Sequence, residues 1–68
     1  MMKTATIEIW KLPSAPGFPR ESWAVDVRNP NGGLVDGTMG FLDIEVAKKW
    51  GQTKARIYGD PNPNIVIL

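Results

Sequence analysis

Few side chains in this sequence can do acid–base or nucleophilic chemistry, because it contains no histidine and no cysteine. Its serines have no imidazole to activate their hydroxyls, and no thiol is present. Glu8 and Asp26 are predicted to face the same side of adjacent strands, which invites comparison with a pair of catalytic carboxylates. On a solvated sheet face, however, such carboxylates normally pair with cations, here Arg28 or Lys11. We therefore expect no catalytic residue and no enzyme activity.

Acidic residues and glycines near the middle of the chain raise the question of a metal or phosphate site. Asp36, Asp43 and Glu45 are the nearest group of oxygen ligands, but their spacing matches no calcium loop. The glycine-rich segment 32–40 leads toward a helix N-terminus, where phosphates bind, yet it lacks the GxxxxGK[ST] and GxGxxG spacings. Helix capping and loop flexibility explain these residues better, so we expect no metal and no cofactor.

Aromatic and basic residues form the strongest candidate site. Two aromatic and three basic side chains are predicted to project from the sheet face opposite the helix, namely Trp10, Tyr58, Arg28, Lys54 and Arg56. Such surfaces bind single-stranded nucleic acids and nucleotides through stacking and phosphate contacts. Trp, Tyr and Arg are also the typical anchors of protein interfaces. Because the formal net charge is only +1, we favour a protein partner and keep a nucleic acid as the alternative.

Trp10 also has a structural interpretation, in which it packs under the loop from Pro13 to Pro19. Prolines recur at every third position of that loop, which suits an extended, polyproline-like conformation. A basic residue follows Pro19 directly, so the PxxPx[K/R] spacing of a polyproline ligand is not met. We interpret the loop as a connection and leave both environments of Trp10 open.

Alternating apolar and polar residues predict a strand over 4–12 and a second strand over about 22–28. The turn-forming sequence 29–32 then reverses the chain. Leu34 and Val35 belong either to a short third strand or to a loop that crosses to the helix. The side chains predicted to face the core are Ala5, Ile7, Ile9, Trp23, Val25 and Val27.

Asp43 is predicted to cap a short helix over about 43–50, because its carboxylate can accept hydrogen bonds from the free N–H groups of the first turn. Gly51 suits the left-handed position that commonly follows the end of a helix. Val46, Ala47 and Trp50 share one stripe of this helix, with Leu42 above it, and that stripe is predicted to face the sheet.

Two further strands are predicted after this helix. Residues 54–58 alternate, with Ala55 and Ile57 inward, and turn-forming residues follow. The last residues are apolar on both faces of any strand that they form. Such a strand needs cover on both sides or a partner, which predicts a homo-oligomer interface at Ile65, Val66, Ile67 and Leu68.

The 68 residues are predicted to form one domain, 1–68, with an α+β fold. It has a small, mostly antiparallel sheet of three to five strands and one short helix on one face, in the order β-β-(β)-α-β-β. A chain this short buries only about 60% of its unfolded surface, and its core rarely supplies more than roughly 3–5 kcal/mol. Without disulfides, oligomerisation is the remaining means of stabilisation.

These features favour a small non-catalytic protein-interaction module. Such a size is typical of the accessory and inhibitor proteins of phages and mobile elements, which act by binding a larger host protein. A single-stranded nucleic-acid or nucleotide-binding module and a structural homo-oligomer are the alternatives. The sequence has no apolar run near 18 residues and begins without the apolar stretch of a signal peptide, so we expect no membrane association and a cytoplasmic location.

Overall fold

Four strands form one sheet, with one helix against one of its faces, in the computed structural model, which describes residues 4–17, 20–60 and 62–68. The elements in chain order are β1 (Thr6–Leu12), β2 (Ser22–Arg28), β3 (Leu34–Phe41), α1 (Ile44–Ile57) and β4 (Asn64–Ile67). The strand order is β3-β2-β1-β4, with β2 antiparallel to both neighbours and β4 parallel to β1. The predicted α+β fold is confirmed. The predictions that involve Phe18, Pro19, Pro61 and residues 1–3 lie outside the described residues.

The core lies between the helix and the central strands, as the alternation predicted. Ile7 pairs with Val27 and Ile9 pairs with Val25, and all four side chains are fully buried. Full burial of an aliphatic side chain contributes about 1.5–3 kcal/mol, so these two pairs form the main apolar contribution of the sheet. Further residues packed on this core from the sheet and the helix are Ala5, Trp23, Phe41, Ala47, Trp50 and Ala55.

Leu34 and Val35 belong to a strand, which decides between the two predicted alternatives. The turn before β3 is held by Asn29, whose Oδ1 accepts hydrogen bonds from the backbone N–H groups of Asn31 and Gly33, each at 2.9 Å. This side chain satisfies backbone donors that a tight reversal leaves unpaired. The pairing of β3 with β2 is interrupted by two register shifts, one near each end of the ladder.

The N-terminus of α1 is the predicted one, but its C-terminus is not. Asp43 Oδ1 accepts a hydrogen bond of 2.8 Å from the N–H of Glu45, which confirms the cap. The helix continues past Gly51 to Ile57, so the predicted end near residue 50 and the predicted strand over 54–58 are wrong. Gly51 is buried in the middle of the helix, where it packs against Ile7. A Cβ at this position would lie only 2.6 Å from Ile7 Cγ2, so a larger residue would not fit without a shift. Glycine therefore serves close packing of the helix on β1 here, and the helix ends elsewhere.

The helix ends at Tyr58 and Gly59, in a Schellman motif. The N–H of Gly59 donates to the carbonyl of Arg56 at 3.0 Å, and the N–H of Asp60 donates to the carbonyl of Ala55 at 2.8 Å. Gly59 has a φ of 99°, the left-handed conformation that this motif requires and that glycine adopts without a steric penalty.

Asp60 connects the end of the helix to the first strand. Its Oδ2 accepts a hydrogen bond of 2.6 Å from the N–H of Ala5, and its Oδ1 accepts one of 3.0 Å from the N–H of Asn62. The N–H of Asn64 then donates to the carbonyl of Ala5 at 2.8 Å, which begins the parallel pairing. One carboxylate thus sets where β4 joins the sheet.

Candidate functional site

The sheet has one face covered by α1 and one face that no described helix or strand covers. We call the second one the open face. The registers of the strands give this face the following residues: Thr6, Glu8, Trp10, Leu12, Ser22, Ala24, Asp26, Arg28, Leu34, Gly37, Met39, Asn64 and Val66. Because successive side chains of a strand point to opposite faces, every strand of the core also contributes to this surface.

One end of the open face is apolar. A row of residues crosses the sheet there, because Trp10 pairs with Ala24 and Ala24 pairs with Met39. Leu68 donates its N–H to the carbonyl of Ile9 at 2.8 Å, which continues the parallel register and places Leu68 beside Trp10. Met39 and Leu68 are each 70% exposed, whereas Ala24 is 1% exposed. Trp10, Met39, Val66 and Leu68 therefore form what we call the apolar patch.

A pocket of about 430 Å³ adjoins the apolar patch beside Met39. Its walls come from the ends of β1 and β2, from the segment after β1 and from β3, through Leu12, Pro13, Ala15, Ser22, Met39 and Gly40. Trp10 itself is half-buried, which is intermediate between an exposed site residue and a residue packed under the loop. Phe18 and Pro19 of that loop lie outside the described residues. The described part of the loop thus forms one wall of a pocket.

The other end of the open face carries a group of paired charges, with the exposed Leu34 opposite Arg28. Arg28 Nε lies 2.5 Å from Glu8 Oε1, and Arg28 Nη2 lies 3.7 Å from Asp26 Oδ2. The hydrogen bond to Glu8, and then its negative charge, raise the pKa of Arg28 above its ordinary value. The predicted pairing of both carboxylates with Arg28 is confirmed, whereas Lys11 pairs with Glu21 instead. One cation faces two carboxylates here.

The aromatic and basic face predicted from the sequence is not formed. Trp10 and Arg28 lie on the open face, but Lys54 and Arg56 lie in α1 and Tyr58 follows it directly. The physical reason is that residues 54–57 are helical, so their alternation does not place them on a sheet. Lys54, Arg56 and Tyr58 therefore cannot form one surface with Trp10.

The helical residues of that prediction have other neighbours. Lys54 Nζ lies 3.6 Å from Asp36 Oδ2 and 5.6 Å from the centre of the Trp50 ring, so its charge is engaged on the helix side. Arg56 is exposed. Tyr58 is 55% exposed and lines a cavity of about 250 Å³ together with Arg28, Pro30 and Val35. The structure therefore brings Tyr58 and Arg28 to one pocket, but not Trp10, which does not line it.

The residues predicted to form an oligomer interface lie at an edge of the sheet. β4 is the last strand on its side, next to β1. Val66 is 37%, Ile67 47% and Leu68 70% exposed, and Ile65 is half-buried against the core. The helix packs mainly on β2, β1 and β3, so the apolar side chains of β4 receive little cover from it.

Comparisons with protein-family models, with curated proteins and with solved structures found no match to this chain. The candidate site is therefore defined by its own geometry. In the described ranges, no three or more acidic side chains come together as a metal site. The helix of the described chain is too short and too polar to cross a membrane.

Sequence reasoning missed Met39 as a site residue. Met39 lies in the glycine-rich segment 32–40, and its position opposite Ala24 depends on a register shift in the pairing of β3 with β2. The pairing of Leu68 beside Trp10 was also missed, because it depends on which strand β4 joins. One feature of the sequence could have indicated both Met39 and Leu68. Each is a large apolar residue that lies outside the helical and strand patterns assigned to the core.

Proposed function

We propose that this protein is a small non-catalytic protein-interaction module that binds a larger protein through the apolar end of its open face. The observation that carries this proposal is the apolar patch, which exposes Met39, Val66 and Leu68 around the half-buried Trp10. Exposed apolar side chains that are contiguous, with a pocket beside them, are typical of protein interaction sites.

The composition of the patch fits a protein partner. Tryptophan and methionine are enriched in the centres of protein interfaces, and charged residues are depleted there. The pocket beside Met39 can take an apolar side chain of the partner. The Glu8, Arg28 and Asp26 group lies at the other end of the same face and would form the polar margin of the interface.

The open face gives less support to a nucleic-acid partner. Arg28 is the basic residue that the described strands place on it, and its guanidinium already faces two carboxylates. Single-stranded nucleic acids are held by stacking on aromatic residues together with phosphate contacts from a positively charged groove. The lysine and arginine that were expected to supply those contacts belong to the helix.

An accessory or inhibitor role, such as phages and mobile elements employ against host proteins, follows from this proposal. A module that binds through one flat face and offers no acid–base machinery acts by occupying the surface of its target. Its effect would then come from binding through the apolar patch, without any catalytic step.

The test compares three forms of the protein: the wild type, Met39→Glu and Ile57→Glu. Both substituted positions are highly exposed, at 70% and 67%, but Ile57 lies on the helix and serves as the matched control. Each form is immobilised and used to capture proteins from a lysate of the source organism, and each captured protein is then purified for direct binding measurements.

We expect one protein to bind the wild type and Ile57→Glu alike, and to bind Met39→Glu at least about tenfold more weakly, because the added charge must be desolvated in the interface. Circular dichroism must show all three forms folded. Recovery of only nuclease-sensitive material, or equal binding by all three forms, would contradict the proposal.

A further inference from the structure

We propose that β4 is the binding site for a second copy of this chain, through antiparallel pairing of two β4 strands about a two-fold axis at Val66. This inference concerns the edge of the sheet and does not rest on the proposed function, although Val66 belongs both to β4 and to the apolar patch. It specifies the register and the contacts of an interface that the sequence predicted only by its composition.

The backbone of β4 has a complete set of groups for this pairing. The N–H groups of Asn64 and Leu68 donate to the carbonyls of Ala5 and Ile9, so even-numbered residues of β4 point their backbone groups toward β1. In a parallel strand the residues between them point their N–H and C=O groups the other way. Ile65 and Ile67 therefore direct theirs outward from the sheet.

Pairing centred on Val66 uses all of these outward groups. Ile65 of one copy would face Ile67 of the other and exchange two hydrogen bonds with it, and the symmetric pair would do the same. Antiparallel strands alternate such hydrogen-bonded pairs with non-hydrogen-bonded pairs, so the two Val66 residues would face each other across the axis. Shifting the register by one residue would leave some of these groups unpaired.

The two edges of the sheet differ in a way that selects β4. The β3 edge has a register shift near each end of its ladder and carries Asp36, features that natural proteins use to discourage edge pairing. β4 pairs with β1 without a shift, and Asn64–Ile67 contains no charge, proline or glycine. An uncharged, regular and apolar edge is the kind that pairs with another strand.

The side chains of β4 are also compatible with a copy of themselves. Because the strand carries no charge, self-pairing brings no like charges opposite each other. Glu8, which lies beside Val66 in the register with β1, is already paired with Arg28 at 2.5 Å. Ile67 is 47% exposed and Val66 is 37% exposed, and the two lie on opposite faces of the sheet. In the pair of strands, Ile67 would gain Ile65 of the other copy as a neighbour, and Val66 would gain the other Val66.

Such a dimer would join two four-stranded sheets into one continuous sheet. Val66 and Leu68 lie at the seam, so the apolar patches of both copies would lie next to each other on one surface. The interface itself is small, which predicts a weak dimer whose population rises with protein concentration.

The first test measures molecular mass by sedimentation equilibrium over a wide concentration range for the wild type, Ile67→Pro and Ile67→Ala. Proline is tolerated on an edge strand when the missing N–H faces outward, so Ile67→Pro removes no hydrogen bond to β1. We expect the mass of the wild type and of Ile67→Ala to rise toward twice the monomer mass, and Ile67→Pro to remain monomeric and folded by circular dichroism.

A second variant covers the case in which Ile67→Pro unfolds. Val66→Lys places two ammonium groups opposite each other at the axis, whereas Val66→Thr keeps a β-branched side chain of similar size. We expect Val66→Thr to dimerise and Val66→Lys to be monomeric at low salt, with partial recovery at high salt, where the repulsion is screened.

A wild type that stays monomeric at every concentration would overturn the inference. A folded Ile67→Pro that still forms dimers as strongly as the wild type would do the same, because the substitution removes half of the hydrogen bonds of the proposed pairing. A dimer that is abolished by Met39→Glu but unaffected by Ile67→Pro would place the contact on the open face and not on β4.

Discussion

The two faces of the sheet are built from the same four strands but differ in what their apolar residues do. On the helix-covered face, Ile7, Ile9, Val25 and Val27 are fully buried. On the open face, Met39 is 70% exposed and Val66 37%, around the buried Ala24. The first set holds the domain together, while the second lies in water and contributes little to folding. Under the proposed function, the alternation of side chains along each strand would separate the residues that stabilise the domain from those that bind a partner.

The largest effect is expected on the covered face, from Ile9→Ala. Replacing a fully buried isoleucine by alanine typically costs about 2–5 kcal/mol, because it removes apolar contacts and leaves a cavity. A domain of this size has roughly 3–5 kcal/mol in total. We therefore expect the variant to be largely unfolded at room temperature by circular dichroism. A cooperative thermal transition close to that of the wild type would contradict the separation of the two faces.

Gly51→Ala, at the contact between the helix and the sheet, is expected to have a smaller effect on the free energy of unfolding. Its sign distinguishes helix propensity from packing. Helix propensity alone predicts a gain of about 1 kcal/mol. The new Cβ would lie 2.6 Å from Ile7 Cγ2 in a filled core, and overpacking costs about 1–3 kcal/mol. We expect a net loss in the free energy of unfolding, measured by urea denaturation.

Thr53→Ala is the control for Gly51→Ala, because Thr53 lies in the same helix at an exposed position. Propensity alone governs that site, so its free energy of unfolding should rise by a few tenths of a kcal/mol. If Gly51→Ala stabilised the protein as Thr53→Ala does, the helix would not be packed as closely on β1 as the structure shows.

The smallest effect on stability is expected on the open face, from Met39→Thr. Substitutions at exposed positions away from caps and ion pairs usually change stability by no more than about 0.5 kcal/mol, and threonine suits a strand. We expect an unchanged midpoint in urea, together with weaker binding to the partner protein. A loss comparable to that of Gly51→Ala would mean that the patch is part of the fold and not a binding surface.

Much of the fold could be predicted because short-range patterns determine it. Alternation located β1 and β2 and identified their buried residues, and Asp43 marked the start of the helix. These predictions succeed because strand periodicity and capping depend on neighbours in the sequence. The predicted order of elements was correct as far as the start of the helix.

The rest depends on contacts between distant residues. Residues 54–58 fit a strand pattern and a helical pattern equally well, because a segment of this length samples few periods of either. The helix packs on the sheet through the buried Ala47, Gly51 and Ala55, and no local pattern reveals those contacts. The predicted site was wrong for the same reason. Lys54, Arg56 and Tyr58 do not belong to the sheet, and the row that contains Trp10 consists of Leu68, Ala24 and Met39.

The position of Asp60 has a consequence for how the chain folds and opens. Its hydrogen bond to Ala5 joins residues 55 positions apart, whereas β1, β2 and β3 follow one another in sequence and pair as antiparallel neighbours across the connections 13–21 and 29–33. Contacts of such long sequence separation carry a large loop-closure cost and form late, so the three-stranded meander should assemble before β4 docks. The last element to dock, held by few contacts, is the first to detach in native-state fluctuations. The amide hydrogens of β4 should thus exchange with solvent well before those of β2, and each such opening briefly turns β1 itself into the edge of the sheet.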